Sequence, residues 1–296
     1  MSSFLVLGTA QLGFPYGIAN KTGQPELALA IEIIQTSWNK GIREFDTAQD
    51  YGESEKVLGV VFAELGISDE ARVISKINPA LDHCDPQAMS RALDATLEKL
   101  GVPSLFGLML HDENLLSQWP HGVGDIMRSF IASGKVKNIG VSVYSPERAL
   151  DALNTEGIDL IQVPSNILDR RFEKKGVFEL AAKKNKQVYI RSAFLQGLVL
   201  MEPEDLPEYM LFAKPVLDRI KSLVDTLNIT RHELALGYLK AKVPDAKLIV
   251  GVETPAQIAE NVNCWMKNPL TSLIERVEES FEHLDERVLN PSLWRT

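Results

Sequence analysis

Cysteine is nearly missing from this chain: Cys84 and Cys264 are the only two among 296 residues. So sparse a pair builds no disulfide framework and suits a reducing compartment. No apolar run approaches the roughly 18 residues that span a bilayer. The opening Met1-Ser2-Ser3-Phe4-Leu5 also lacks the basic stretch that precedes a secretory signal core. A cytoplasmic location is the expectation. Basic residues are short as well, 31 Lys and Arg against 40 Asp and Glu, for a net charge of −9. Nucleic acids and anionic membranes need clustered cations to neutralise phosphates, so the charge argues against both and for a small-molecule partner. The five histidines, His83, His111, His121, His232 and His283, form no HExxH and no Cys/His cluster, so no metal site is expected. Linkers, internal repeats and low-complexity tracts are absent from the sequence too, which predicts one domain over residues 1–296.

What the chain does have is alternation. Hydrophobic residues make up 45%, enough for a large core, and they gather in eight short runs at 4–8, 42–46, 73–76, 105–111, 139–143, 160–163, 188–192 and 248–252. Between the runs the apolar spacing is helical, as in Leu27, Ala30, Ile31, Ile34 and Trp38, or Ala92, Leu93, Leu97 and Leu100. Asp85-Pro86, Ser145-Pro146 and Thr254-Pro255 each place a capping side chain before a proline at the first helical position, while Gly101 and Gly134 mark helix ends. Eight strand–helix units predict the α/β class and a (β/α)8 TIM barrel, since such alternation implies a parallel sheet. The gap between the seventh and eighth runs predicts an added helix over 214–227 before one over 231–241. Leu273, Val277, Phe281 and Leu284 predict another at the C-terminus.

The ends of these runs carry chemistry. Asp46 closes the second, Tyr51 follows it, Lys76 closes the third and His111 the fourth. Taken singly, each has an ordinary role: Asp46 caps a turn, Tyr51 is a loop aromatic, Lys76 a solvated strand end, His111 a rim histidine. Functional residues of a (β/α)8 barrel come from the C-terminal ends of several strands, and there the conjunction gains meaning. A phenol is a weak acid near neutral pH, with a reference pKa of about 10, so a tyrosine that donates a proton needs a cation beside it. Lys76 supplies that cation, Asp46 holds it, and His111 is placed to hydrogen-bond an acceptor oxygen. The set suits protonation of a carbonyl oxygen.

With these residues the sequence resembles the aldo-keto reductases, NAD(P)H-dependent (β/α)8 barrels, from Gly8-Thr9-Ala10 to Glu260-Asn261. The stretch 41–59 with its Asp-Thr-Ala and Tyr-Gly-Glu-Ser-Glu-Lys-Val-Leu-Gly, then Ser75-Lys76, His111 and 134–142, is similar to successive signatures of that family. The resemblance implies reduction of an aldehyde or ketone, or the reverse oxidation, with Tyr51 as general acid, Asp46 and Lys76 tuning it, and His111 orienting the carbonyl. It implies NADPH or NADH as cofactor. The positions it assigns to that cofactor are Gly8, Thr9 and Ala10; Ser142 and Gln162, which hold the carboxamide; Arg191, Ser192, Phe194, Gln196 and Gly197; and Gly251, Glu253, Thr254, Gln257, Glu260 and Asn261. Two positions depart from the pattern: Val143 stands where the family has Asn, and Arg191 where many members have a Tyr that stacks on the nicotinamide. A guanidinium also stacks on rings, so Arg191 has two readings, stacking on the nicotinamide or a rim ion pair. Thr254 and Gln257 have capping-box spacing, and the helix they open is expected to turn free N–H groups toward a phosphate. NADPH-selective members carry Lys or Arg where this chain has Gly251, Glu253 and Gln257, so the preference between the cofactors is open.

Two rival readings accompany this one: a phosphosugar isomerase or aldolase with Lys76 as its Schiff-base amine, and a cofactor-binding redox sensor with little turnover. Phe14, Tyr16, Trp119 and Phe194 are candidate walls of the substrate pocket.

Overall fold

Eight parallel strands close into a barrel in chain order: β1 Leu5–Gly8, β2 Glu44–Asp46, β3 Arg72–Ile77, β4 Gly107–Leu110, β5 Ile139–Ser142, β6 Leu160–Pro164, β7 Gln187–Arg191 and β8 Lys247–Gly251. The structure, a computed structural model, describes residues 4–294; the start of the N-terminal pentapeptide read above for a signal lies outside them. The (β/α)8 expectation is met. Strand limits move by one or two residues for local reasons. Ile42 is not in β2, because its N–H still bonds Ser37 O at 3.0 Å, at the end of the preceding helix. Leu105 makes only an isolated bridge to Val136, and His111 lies one residue beyond β4. Ser192 leaves β7 with a φ of 61°.

Strands buried on both faces need apolar side chains in both directions. Inward, Val6, Ile74, Met109, Leu160, Tyr189 and Ile249 pack into one interior cluster. Glu44 underlies it, accepting from Tyr189 Oη at 2.9 Å and pairing with Lys247 and with Arg72 at 3.7 Å. Burial first, then the Glu44 carboxylate, pushes the Tyr189 phenol well above its ordinary value, so it stays a donor in this plug. The N-terminal end of the barrel is thus closed by packing and charge, and chemistry is confined to the opposite end.

Outward, the strands bury the apolar faces of the surrounding helices. The expected caps form: Asp85, Ser145 and Thr254 side chains accept from the backbone N–H of Gln87, Arg148 and Gln257. Between β7 and β8 lie short 3-10 turns and then two helices, Lys214–Leu227 and Arg231–Lys242. The C-terminal helix is shorter than its apolar spacing suggests, Leu273–Ser280, and Arg170 Nη2 fastens its end through Phe281 O at 2.8 Å. No helix among the described residues is long and apolar enough to cross a membrane.

Candidate active site

Parallel strands bring their C-terminal ends to one mouth, and β2, β3 and β4 deliver the four residues expected there. Asp46 is the last residue of β2 and Lys76 the next to last of β3. Lys76 Nζ lies 2.9 and 2.8 Å from the two Asp46 carboxylate oxygens, 3.0 Å from Thr47 O and 3.5 Å from Tyr51 Oη. Lys76 is fully buried and Asp46 nearly so, at 0% and 4% exposure, which makes this an internal ion pair. With its N–H groups committed to Asp46 and Thr47, Lys76 is set as a donor and not as an amine nucleophile. His111 stands beside the phenol, ring centroids 5.9 Å apart, and its Nδ1 is 3.1 Å from Asp50 Oδ1.

The loop that carries Tyr51 is held from below. Thr9 Oγ1 lies 2.8 Å from Ser54 Oγ, and Ser54 Oγ 3.0 Å from Thr47 Oγ1. Gly13 is the tight spot: a Cβ there would lie 1.7 Å from Tyr51 O, so only glycine lets the helix Ala10–Gly13 sit against this loop.

Electrostatics differ from the expectation in one respect. The Tyr51 phenol is pushed well above its ordinary value, by burial first and by the Asp46 carboxylate second, with Arg191 pulling the other way. Asp46 is paired with Lys76 and also acts on the phenol, where its negative charge adds to the rise. The phenol is therefore held protonated. Asp50 moves oppositely: burial, the largest single cause, raises its carboxyl, but the adjacent His111, a backbone hydrogen bond and Lys76 together bring it below its ordinary value.

A cleft of about 670 Å3 runs from this mouth across the ends of β5 to β8 to the helix Pro255–Met266. All the cofactor positions expected above line it, apart from Thr254. Along its wall, Ser142 Oγ and Asn261 Oδ1 are buried without any hydrogen-bond partner. Orphaned buried polar atoms are uncommon, and two that come from different elements lining one cleft fit a polar ligand. The β7 exit loop has left-handed backbone at Ser192, Leu195 and Gln196 (φ 61°, 49° and 54°), costly for residues with a Cβ and concentrated at functional sites. Gln196 O accepts from Ile18 N–H at 3.1 Å, which ties this loop to the one after β1 across the mouth.

A sequence profile described as the aldo/keto reductase family matches residues 4–281. The chain belongs to the aldo/keto reductase family. Among its relatives, an aldo-keto reductase of Bacillus subtilis, YhdN, is 28% identical, with 90% of this chain and 87% of that protein covered. An L-glyceraldehyde 3-phosphate reductase of Escherichia coli O157:H7 is 24% identical over 89% of this chain and 85% of its own length. In three dimensions the aldo-keto reductase AKR11C1 of Bacillus halodurans, in its holo form, superposes with a TM-score of 0.75 at 21% identity, covering 95% of this chain and 92% of that one.

Within this aldo/keto reductase barrel some expected residues have a further partner and other expectations need correction. Gln162, assigned to a carboxamide, donates its Nε2 to Asp46 Oδ1 at 2.7 Å, so it also braces the Lys76 pair. Three of the N–H groups at the start of Pro255–Met266, where free ones were expected, are taken: Gln257 Oε1 accepts from Glu253 N and Thr254 N at 2.6 and 3.3 Å, and Thr254 Oγ1 takes the Gln257 N–H. Thr254 therefore caps its helix beside the cleft without lining it. Arg191 forms no rim ion pair among the described residues; its guanidinium lies 4.2 Å over the Tyr144 ring. Trp119 is not a pocket wall, since its Nε1 bonds Glu156 O at 3.2 Å well away from the cleft, and Phe14 lies behind the wall, edge-on to Tyr16 and Tyr51.

Cleft residues that the sequence reading passed over include Asp50, Tyr144, Lys21, Glu202, Asp205 and His232. Tyr144 comes from the loop that follows β5, two positions past Ser142. The others come from other loops and a distant helix, with no signal in the sequence spacing. His232 pairs with Glu260 at 3.1 Å and packs edge-on against Phe194; burial lowers its pKa, with Glu260 opposing.

Proposed function

We propose that this protein reduces an aldehyde or ketone to an alcohol, or runs the reverse oxidation, with NADH or NADPH as hydride donor and Tyr51 as proton donor. The observation that carries the reading is the half-buried Tyr51 phenol 3.5 Å from a lysine that is locked to Asp46, with His111 at its side. The cofactor supplies hydride to the carbonyl carbon when bound. Everything else is the work of the chain. Tyr51 Oη gives its proton to the oxygen as negative charge gathers there, and Lys76 Nζ stabilises the phenolate left behind. His111 donates to the same oxygen and fixes the direction of the carbonyl, while Asp50 beside Nδ1 orients the ring. Ser142 and Gln162 fit the carboxamide end of the cofactor, and Glu260 with Asn261 the adenine end. The L-glyceraldehyde 3-phosphate reductase relative supports a small aldehyde as substrate.

For the cofactor we infer weak or reversed preference for NADPH. Glu202, Asp205, Glu253 and Glu260 line this cleft, while Lys21 pairs with Asp205 at 3.9 Å and Arg231 with Glu202 at 2.9 Å. Among the described residues these two cations face carboxylates at this end of the cleft, and a carboxylate repels a 2′-phosphate but accepts from a ribose hydroxyl. The test is turnover of a panel of small aldehydes and ketones with both cofactors, for the parent and Tyr51→Phe. Turnover that survives in the variant at more than about a tenth of the parent rate removes Tyr51 as the acid.

A further inference from the structure

Arg191 has a task that the proton-transfer machinery does not use. It ends β7, lines the cleft, and its Nε and Nη2 are buried without an acceptor. These two N–H groups share one edge of the guanidinium, the edge that grips two oxygens of a carboxylate or phosphate side by side. Among the described residues Lys21, the other Lys or Arg that lines the cleft, faces Asp205 at 3.9 Å, and the lining carboxylates Asp50, Glu202 and Glu260 face His111, Arg231 and His232. Strand register sets the height of Arg191. Gln162 pairs with Tyr189 and Pro164 with Arg191, so Arg191 starts two residues farther toward the mouth than Gln162. Tyr144 supports one face of it at 4.2 Å. Its charge acts on the phenols of both Tyr16 and Tyr51, easing a rise that burial causes in each, which places it within electrostatic reach of the proton donor.

We propose that Arg191 binds an oxoanion carried by the substrate, so that the preferred substrates are anionic carbonyl compounds with a carboxylate or phosphate close to the reacting carbon. This rests on the carbonyl-reduction reading above. The substrate then spans the mouth, its carbonyl oxygen at Tyr51 and His111 and its anion on the free edge of Arg191.

The experiment compares matched pairs that differ in charge: glyoxylate with glycolaldehyde, and glyceraldehyde 3-phosphate with glyceraldehyde. For each pair the readout is the ratio of kcat/KM, anionic over neutral, in the parent, in Arg191→Gln and in Arg191→Lys. The parent ratio should favour the anion, and Arg191→Gln should collapse it by about 10–100-fold, the weight of a paired charge-assisted hydrogen bond. Arg191→Lys keeps the charge and loses the fork, so its ratio should fall between. The pair in which the ratio moves tells carboxylate from phosphate. A parent ratio near one in both pairs, or a ratio unmoved by either variant, overturns the proposal. Calorimetric titration with glycolate, glycerol 3-phosphate and glycerol separates this assignment from the underlying reading. If the parent reduces nothing yet binds one of the two anions in an Arg191-dependent way, the reductase reading fails and the anion site stands. Binding that is absent, or equal in parent and variants, overturns the site itself.

Discussion

Replacing Lys76 by Met cuts one charge from an ion pair that water does not reach. Lys76 is 0% exposed and Asp46 4%, and the ammonium contacts both carboxylate oxygens within 2.9 Å. Breaking such a pair from one side leaves a buried charge, a loss of about 3–5 kcal/mol. Gln162 continues to donate to Asp46 at 2.7 Å, which places the expected loss at the lower end, about 3 kcal/mol. For a chain of 296 residues that lowers Tm by roughly 5 °C in a thermal melt. Activity should fall on the order of 10²–10³-fold in kcat, the weight of one preorganised donor near the reacting oxygen. The bare Asp46 carboxylate would also push the Tyr51 phenol further up and weaken it as an acid. The double variant Lys76→Met with Asp46→Asn separates these effects. Removing both charges leaves neutral groups of similar shape, so most of the lost Tm should return while kcat stays low. A double variant as unstable as the single one would refute the ion-pair argument. A Lys76→Met protein within about threefold of the parent kcat would remove Lys76 from proton transfer.

Tyr51→Phe should cost on the order of 10²–10⁴-fold in kcat with cofactor affinity, measured by fluorescence titration, nearly intact. Gly13→Ala drives a methyl into Tyr51 O, so it should destabilise by about 1–3 kcal/mol and lower kcat together, read from melts and steady-state kinetics. Glu253→Arg replaces a carboxylate in the β8 loop with a phosphate donor and should shift the NADPH-to-NADH affinity ratio by about 1–3 kcal/mol toward NADPH in calorimetry; an unmoved ratio would place the 2′-phosphate elsewhere. His83 and His232 both have pKa values lowered by burial, so below about 6.5 the unfolded chain binds protons that the fold does not, and stability should fall as pH drops through that range. His232→Gln should flatten that slope in melts between pH 7.5 and 5.5, pH values of about one unit either side of the reference.

Much of this protein is legible in sequence because it is local. Apolar runs with intervening helical spacing determine strands and helices, and Asp85, Ser145 and Thr254 determine where three helices begin, since a cap needs only its next few residues. The added helix Lys214–Leu227 is written in its own periodicity. Asp46, Tyr51, Lys76 and His111 could be placed at one mouth because the barrel fixes where strand ends meet. Tertiary structure alone decided the rest. The distance between Gln162 and Asp46, 116 positions apart in the chain, set the amide against the carboxylate and not toward the cleft alone. The sign of the charge effect on Tyr51 depended on burial and on which side of Lys76 the carboxylate stands, and neither is a property of spacing. Arg191 has no signal in its neighbours that distinguishes a stacked, an ion-paired and an unpartnered guanidinium. That choice is made by Tyr144 from the loop after β5 and by the lack, among the described residues, of a carboxylate paired with the guanidinium, because a side chain's partners come from whatever the fold brings beside it.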